Sequence, residues 1–191
     1  MKYQGVTSLN IALIHHPVVN KRAEIIGSAV TNLDIHDIAR MARSYGVENY
    51  FISTPYKDQQ LLVNELLEHW RTGHGASYNP ARKEALSIVS LAESIQEIID
   101  ILTVQYGRKP LVITTSAQKQ KNMILYSELR RKISLEEPVL LLFGTAHGLS
   151  PEVMQSADGT LPPIDGTTNY NHLSVRTAAS IIVDRLFGTR E

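Results

Sequence analysis

The chain contains no cysteine. Disulfides, thiolate metal sites and cysteine nucleophiles are thereby excluded. It also has no excess charge of either sign, with 19 Lys and Arg against 19 Asp and Glu. No overall basic field draws in nucleic acid, so any such contact must rest on local patches. No apolar run approaches the ~20 residues of a membrane-spanning helix. The opening MKYQGVTSLNIALIHH lacks the long apolar segment of a secretory signal. A cytoplasmic protein with no membrane partner is expected. Several chemical signatures are missing too. There is no G-x-G-x-x-G, no Gly-Lys-Ser/Thr, no H-E-x-x-H and no G-x-S-x-G, so a dinucleotide fold, a P-loop, a zinc protease and a serine hydrolase lack support. The seven histidines show no ligand spacing. His15 and His16 are adjacent, and neighbours on one strand point to opposite faces. No metal site is expected.

What is present is an ordinary globular composition, 43% apolar and 20% charged over 191 residues. That suits a single domain spanning 1–191. Leu9 to His15 reads as a buried strand, and Val47 to Ser53 as a second. Between them, Asp34 to Tyr45 places Ile35, Ile38, Ala39 and Ala42 on one helical face, stopped by Gly46. Asp58 to Arg71 is a further helix with Leu62, Leu66 and Trp70 on its face. RTGHGASYNPARKEA reads as a loop, and Leu86 to Ser90 as a short strand. Ser90 to Glu93 has capping-box spacing ahead of a helix carrying Ile95, Ile98, Ile99, Leu102 and Tyr106, ended by Gly107. Strands at Leu111 to Thr115 and Val139 to Phe143 follow, with a helix near Ile124 to Lys132 between them. A short helix at Ser150, a brief strand near Thr160 and a final helix to Phe187 complete the pattern. Alternating strands and helices predict an α/β fold with a mostly parallel sheet flanked by helices. Ligands of such sheets sit at the carboxyl ends of strands.

Three segments hold more than a bare fold needs. In FGTAHGLSPEV, a buried strand ends on Gly144 and Gly148 before a new helix with Ser150 as N-cap and Pro151 at its first position. As a bland turn it joins strand to helix; as a site it is a backbone cradle for a small polar ligand. In LPPIDGTTNYNHLSV, Asn169, Asn171, His172 and Ser174 crowd a helix start that needs one cap. In TNLDIHDIARMARSYG, Thr31 caps toward Asp34, and Arg40 lies one turn after His36 on a helix beside a strand end, which suits phosphate recognition.

In this order, these segments resemble the three motifs of the SPOUT superfamily of RNA methyltransferases, closest to its SpoU (TrmH-like) branch. The first resembles its helix with I-x-R-x-A, the second its strand ending in Gly followed by G-L-S, the third its polar loop running into a small-residue helix. The likeness spans nearly the whole chain. It implies a deep trefoil knot over about 139–188, a homodimer, and a site for S-adenosylmethionine (SAM), with S-adenosylhomocysteine as product. By position, Leu142, Phe143, Gly144 and Gly148 hold the cofactor from the second motif, Pro163, Ile164 and Asp165 from the next strand end, and Asn171, His172, Leu173 and Ser174 from the third, with Thr115 and Ser116 beside them. The loop amides bond the ligand in this reading, while Ala178, Ala179 and Ser180 let the last helix pack closely. The chain departs from the branch at Asp34, where Asn is usual, at Thr145-Ala146-His147, where the loop usually holds Glu, and at His172, where Asn is usual.

The implied activity is SAM-dependent methylation of RNA, tRNA or rRNA, at a ribose 2′-oxygen or a base nitrogen. Arg40 is the first catalytic candidate, holding phosphate or lowering the nucleophile's pKa; an arginine does not act as base. Asp34, Asp165 and His172 are the candidate proton acceptors, with His172 suited to neutral pH. Arg43, Arg82, Lys83, Lys119 and Lys121 are the candidate RNA contacts, and the low net charge leaves room for an accessory protein. The alternative is a catalytically silent knotted module that binds RNA; an unknotted nucleotide-binding domain is the third reading.

Overall fold

The computed structural model describes residues 7–188. The central strand is β1 (Leu9–Ile14), buried at all six positions. Ile11 and Leu13 enter one apolar cluster, Ala12 and Ile14 another, so both faces of the sheet are covered. Burying each such side chain contributes about 1.5–3 kcal/mol, which is why a run without alternation settles at the centre. A short antiparallel hairpin follows, β2 (Val18–Val19) with β3 (Ile25–Ile26). Next come α1 (Asn32–Ser44) and β4 (Asn49–Ser53). Thr31 caps α1 by accepting from the Asp34 amide, and Ile35, Ile38, Ala39 and Ala42 are its buried face, as the spacing predicts.

The segment after β4 corrects four expectations. α2 (Lys57–Arg71) buries Gln60, Val63 and Leu67, while Leu66 and Trp70 pack at the margin and Leu62 is exposed. Its apolar residues occupy a wide arc, and spacing alone does not say which edge meets the sheet. The expected loop is instead two short helices, α3 (His74–Tyr78) and α4 (Pro80–Leu86). Asn79 accepts from the Arg82 amide at 3.0 Å with Pro80 behind it, so the Asn-Pro pair is a helix start rather than a turn. Arg71 ties this segment down, its guanidinium donating to the Leu86 carbonyl at 2.7 and 3.0 Å and to that of Val89. The short strand therefore begins later than expected, as β5 (Val89–Ala92). Ser90 lies inside it, and the capping box is Ser94 with Glu97. The Glu97 amide donates to Ser94 at 3.1 Å, while the Glu97 carboxylate receives the Glu93 amide at 2.6 Å.

The remaining elements are α5 (Ile95–Tyr106), β6 (Leu111–Thr114), α6 (Tyr126–Ser134), β7 (Val139–Gly144), α7 (Pro151–Ser156), β8 (Gly159–Thr160) and α8 (Val175–Phe187). Gly107 ends α5 in the left-handed region, φ +69°. The sheet order is β5-β4-β1-β7-β6-β8, and every pairing is parallel. All carboxyl ends thus share one edge. Adjacent β7 and β6 are followed by the loops at 145–150 and 115–125, and the loop at 161–174 follows β8 beside them. Among the described residues no helix is long and apolar enough to cross a membrane.

Candidate functional site

The turn after β7 is folded on itself. A Cβ on Gly144 would lie 2.7 Å from the Leu149 amide nitrogen, and that backbone neighbour has no room to yield. Ala146 and Gly148 both take positive φ, +51° and +110°. The amides expected to face a ligand are largely engaged within the protein. Those of Thr145, His147, Gly148 and Ser150 donate to carbonyls of Ile14, Val19, Thr145 and Pro17. The Val19 amide returns a bond to Gly148, so β2 clamps the turn from outside. Gly144 thus serves a close approach of the chain to itself. Gly148 differs, for a Cβ there would meet nothing within 4 Å.

Beneath this turn lies a hydroxyl chain that no sequence motif signals. The Thr145 hydroxyl donates to the Ile14 carbonyl at 3.0 Å. Its oxygen must then accept from Ser28, 2.5 Å away. Ser28 has no further proton to give, so it accepts from Nδ1–H of His15 at 3.0 Å. This order fixes His15 as the Nδ1–H tautomer. Its Nε2 is buried and has no hydrogen-bond partner among the described residues. Burial lowers the His15 pKa to about 4, against the opposing pull of the Asp34 carboxylate and of the Ala29 and Ser28 backbone.

The other predicted residues divide into those brought together and those held apart. The Thr115 hydroxyl donates to the Leu142 carbonyl at 3.0 Å, joining the ends of β6 and β7. Ser116 accepts from the Gln118 amide at 3.0 Å and shapes the same loop. Asn171 reaches over from the last loop to the Ala117 carbonyl at 3.0 Å. Leu142 and Phe143 bury their side chains in opposite cores, so they offer a ligand only backbone. Pro163 is buried, Ile164 packs at the core margin and Asp165 is exposed. His172 and Leu173 are exposed, with Tyr170 edge-on to His172 at 5.4 Å between ring centres. Ser174 is the N-cap of α8, accepting from the Thr177 amide at 3.2 Å. Ala179 is fully buried, whereas Ser180 is exposed and bonds back to the Arg176 carbonyl. From 162 to 173 no backbone–backbone hydrogen bond forms among the described residues.

Asp34 does not present a free carboxylate. Oδ2 receives the Thr31 hydroxyl at 2.5 Å and Oδ1 receives Nη1 of Arg176 at 3.1 Å. Arg176, absent from the sequence reading, also approaches Asp37 at 3.5 Å. Its only sequence signal was a cation in the first turn of α8, where the helix dipole disfavours it unless a carboxylate is near. Arg40 is exposed, and no hydrogen bond or ion pair holds its side chain among the described residues. Of the basic candidates, Arg43 forms a two-pronged contact with Glu84 at 2.8 and 3.1 Å. Arg82 instead lies over the Trp70 ring at 4.5 Å, and its Nε is buried with no hydrogen-bond partner among the described residues. Lys83, Lys119 and Lys121 are exposed. Among the described residues, no group of three or more His, Asp or Glu is placed to hold a metal ion.

Comparison with known proteins places this geometry. The sequence model of a SAM-dependent RNA methyltransferase family matches residues 8–188. A tRNA (guanine-N(1)-)-methyltransferase of Oleidesulfovibrio alaskensis is 48% identical over 95% of the chain, and the chain spans 42% of that protein. An uncharacterized protein of Aquifex aeolicus strain VF5 is 40% identical, over 93% of this chain and 87% of its own length. The SpoU methyltransferase AviRb from Streptomyces viridochromogenes, solved with AdoMet, superposes with a TM-score of 0.58 at 16% identity, covering 94% of this chain and 56% of that one. The parallel sheet with its flanking helices is thus the SpoU α/β-knot fold that the resemblance implied, and the chain belongs to the family of SAM-dependent RNA methyltransferases.

Proposed function

We propose that this chain transfers a methyl group from SAM to RNA, at a site formed by the loops 115–122, 145–150 and 162–173. The observation that carries the reading is the meeting of these loops at one sheet edge, with no backbone–backbone hydrogen bond within 162–173 among the described residues. Exposed backbone donors and acceptors need water or a ligand, and adenine and the amino-acid part of SAM are both read by such groups. The open side of Gly148 fits a ligand lying against the turn. The residues present therefore suit the cofactor. Gly144 and Gly148 shape one wall, Thr115 and Ser116 a second, and Pro163, Ile164 and Asp165 the third. Asn171, His172, Leu173 and Ser174 close the site, and Leu142 and Phe143 contribute backbone.

When bound, SAM supplies a methyl group on a positively charged sulfur. The chain's own task is to orient the accepting atom in line and to take up its proton. Arg40 is free to hold RNA phosphate beside the site. His172 and Asp165, both exposed on the closing loop, are the proton acceptors the geometry leaves available. Asp34 is held by Thr31 and Arg176 and serves as a positioning residue. The tRNA named for the Oleidesulfovibrio relative supports tRNA as the substrate class, although the chain spans 42% of that protein. A homodimer completes the reading, supported by Leu33, Tyr170 and Leu173, large apolar side chains left exposed near the start of α1 and of α8. An accessory protein supplying RNA affinity fits the balanced net charge. The knot occupies about 139–188 of one domain.

The test is calorimetry with SAM and S-adenosylhomocysteine, using NAD and ATP as controls, on the wild type and Gly148→Val. Micromolar binding of the methionine cofactors alone, lost in the variant, is the expected result. Absence of cofactor binding with RNA binding retained would instead establish a catalytically silent knotted RNA-binding module.

A further inference from the structure

The single tryptophan of the chain, Trp70, is a hub for four helices. The His36 ring of α1 meets it edge-on at 5.5 Å, and His69 of α2 does so at 5.1 Å. Gly75 of α3 packs so closely that a Cβ would lie 2.6 Å from the Trp70 ring. From α4, the Arg82 guanidinium stacks on the same indole at 4.5 Å. Helix α1 also carries Arg40, one turn beyond His36, so the hub holds the α3–α4 segment against the helix that bears Arg40.

This assembly holds unmet polar capacity. Arg82 Nε and His36 Nδ1 are both buried with no hydrogen-bond partner among the described residues. No carboxylate pairs with Arg82 or Arg40 among the described residues, while neighbouring Arg43 and Arg71 are fully engaged with Glu84 and with backbone carbonyls. A guanidinium laid flat on an indole keeps its edge free for a phosphate. At the end of α3, four residues before Arg82, Tyr78 is 80% exposed with His74 stacked near it at 6.5 Å. An exposed aromatic pair next to unpaired arginines is the chemistry that receives an unstacked base and its phosphate, and it tolerates every base because each has a π-face.

We propose that α3 and α4 form a platform for single-stranded RNA, with a base stacked on Tyr78 and its phosphates held by Arg82 and Arg40. This rests on the reading of the chain as an RNA methyltransferase. It further assigns how the substrate is received, namely as an unpaired nucleotide rather than a duplex.

Trp70 itself reports the event, because it is the only tryptophan and lies against Arg82. The experiment is a fluorescence titration with a short single-stranded adenylate oligomer and with a fully paired RNA duplex of equal length. The variants are Tyr78→Ala and Arg82→Lys. The single strand is expected to quench Trp70 and to bind more tightly than the duplex. Tyr78→Ala is expected to weaken single-strand binding by about tenfold, the range of one base stacked on an aromatic ring. Arg82→Lys keeps the charge and loses the planar fork, so it is expected to weaken binding without changing the salt slope, which counts phosphates neutralised. Unquenched Trp70, a duplex preferred to the single strand, or equal affinity in Tyr78→Ala and wild type overturns the platform. Tyr78 is exposed, so its loss leaves folding intact. SAM calorimetry on the same variants separates the two readings. Cofactor binding with no RNA effect sinks the platform alone, and RNA quenching without cofactor binding sinks the methyltransferase reading alone.

Discussion

Arg176, in the first turn of α8, donates to the Asp34 carboxylate in the first turn of α1 across 3.1 Å. The two residues are 142 positions apart in sequence. Each belongs to a different motif of the resemblance, the third and the first. Asp34 is 9% exposed, and Arg176 also reaches Asp37. The contact mounts α1, which carries Arg40, on the first turn of α8, which follows the loop carrying His172.

Removing the arginine tests that mount. Arg176→Ala leaves Asp34 nearly buried, with only the Thr31 hydroxyl and its own helix terminus for support. An unpaired, mostly buried carboxylate loses about 2 kcal/mol, moderated here because Arg176 is partly exposed. Urea unfolding should show that loss. Asp34→Asn, which keeps a hydrogen-bond acceptor, should lose less. Equal stability of wild type and Arg176→Ala would mean the pair is a solvated contact with no mounting role.

His15 predicts a pH dependence whose sign follows from burial. Its folded pKa is lowered from 6.5 to about 4. Between those values the unfolded chain binds the extra proton and the folded chain does not, so stability rises with pH. The neutral form is fully favoured above about pH 7. As pH falls through 6.5 toward 4, this residue withdraws up to about 3 kcal/mol. Thermal unfolding from pH 7.5 to about 4 should fall steeply in wild type and less steeply in His15→Gln. Parallel curves for the two proteins would remove His15 from the account of acid stability.

Much of this was legible in the sequence because it depends on local pattern. The central strands read correctly from unbroken apolar runs, and the cap at Thr31 from its spacing to Asp34. The glycine turn and its helix start at Ser150 read correctly for the same reason. What failed depends on tertiary choice. Ser90 looks like a cap until pairing with β4 draws it into a strand. The α2 face turns on which edge of a wide apolar arc meets the sheet. Within the candidate site, the glycines were visible, but the use of the turn amides inside the protein was not, because their acceptors lie in Ile14, Pro17 and Val19, far away in sequence. Arg176 and the chain through His15, Ser28 and Thr145 were hidden for the same reason. Single polar residues carry no period, and only folding shows what they meet.

The hydroxyl chain under the turn yields a stereochemical prediction. Thr145→Val keeps shape and removes both the bond to the Ile14 carbonyl and the acceptor for Ser28. The Ser28 hydroxyl then lacks its partner, and the turn loses a tether to β1. The expected cost is about 1–3 kcal/mol in stability, with weaker SAM affinity because the turn is less fixed. Thr145→Ser retains both bonds and should restore both readouts. If Thr145→Val loses stability while binding SAM as well as wild type does, the chain supports the fold alone and does not position the turn.

The two glycines of the turn separate what the fold needs from what the ligand needs. At Gly144 a methyl group would press on the Leu149 amide at 2.7 Å and the Gly148 carbonyl carbon at 2.9 Å. Both are backbone, so the turn itself must open. Gly144→Ala should therefore lose both stability and cofactor binding. At Gly148 a methyl group meets open space, and only the φ of +110° resists it, at a cost of about 1–3 kcal/mol. If the cofactor lies against that open side, Gly148→Ala should retain a cooperative unfolding transition and still bind SAM far more weakly, since the new methyl group stands where the ligand rests. Calorimetry and unfolding on the same two variants give the comparison. Should Gly148→Ala bind SAM as well as wild type does, the ligand does not touch this face of the turn, and the cofactor wall must be sought between 115–122 and 162–173 alone.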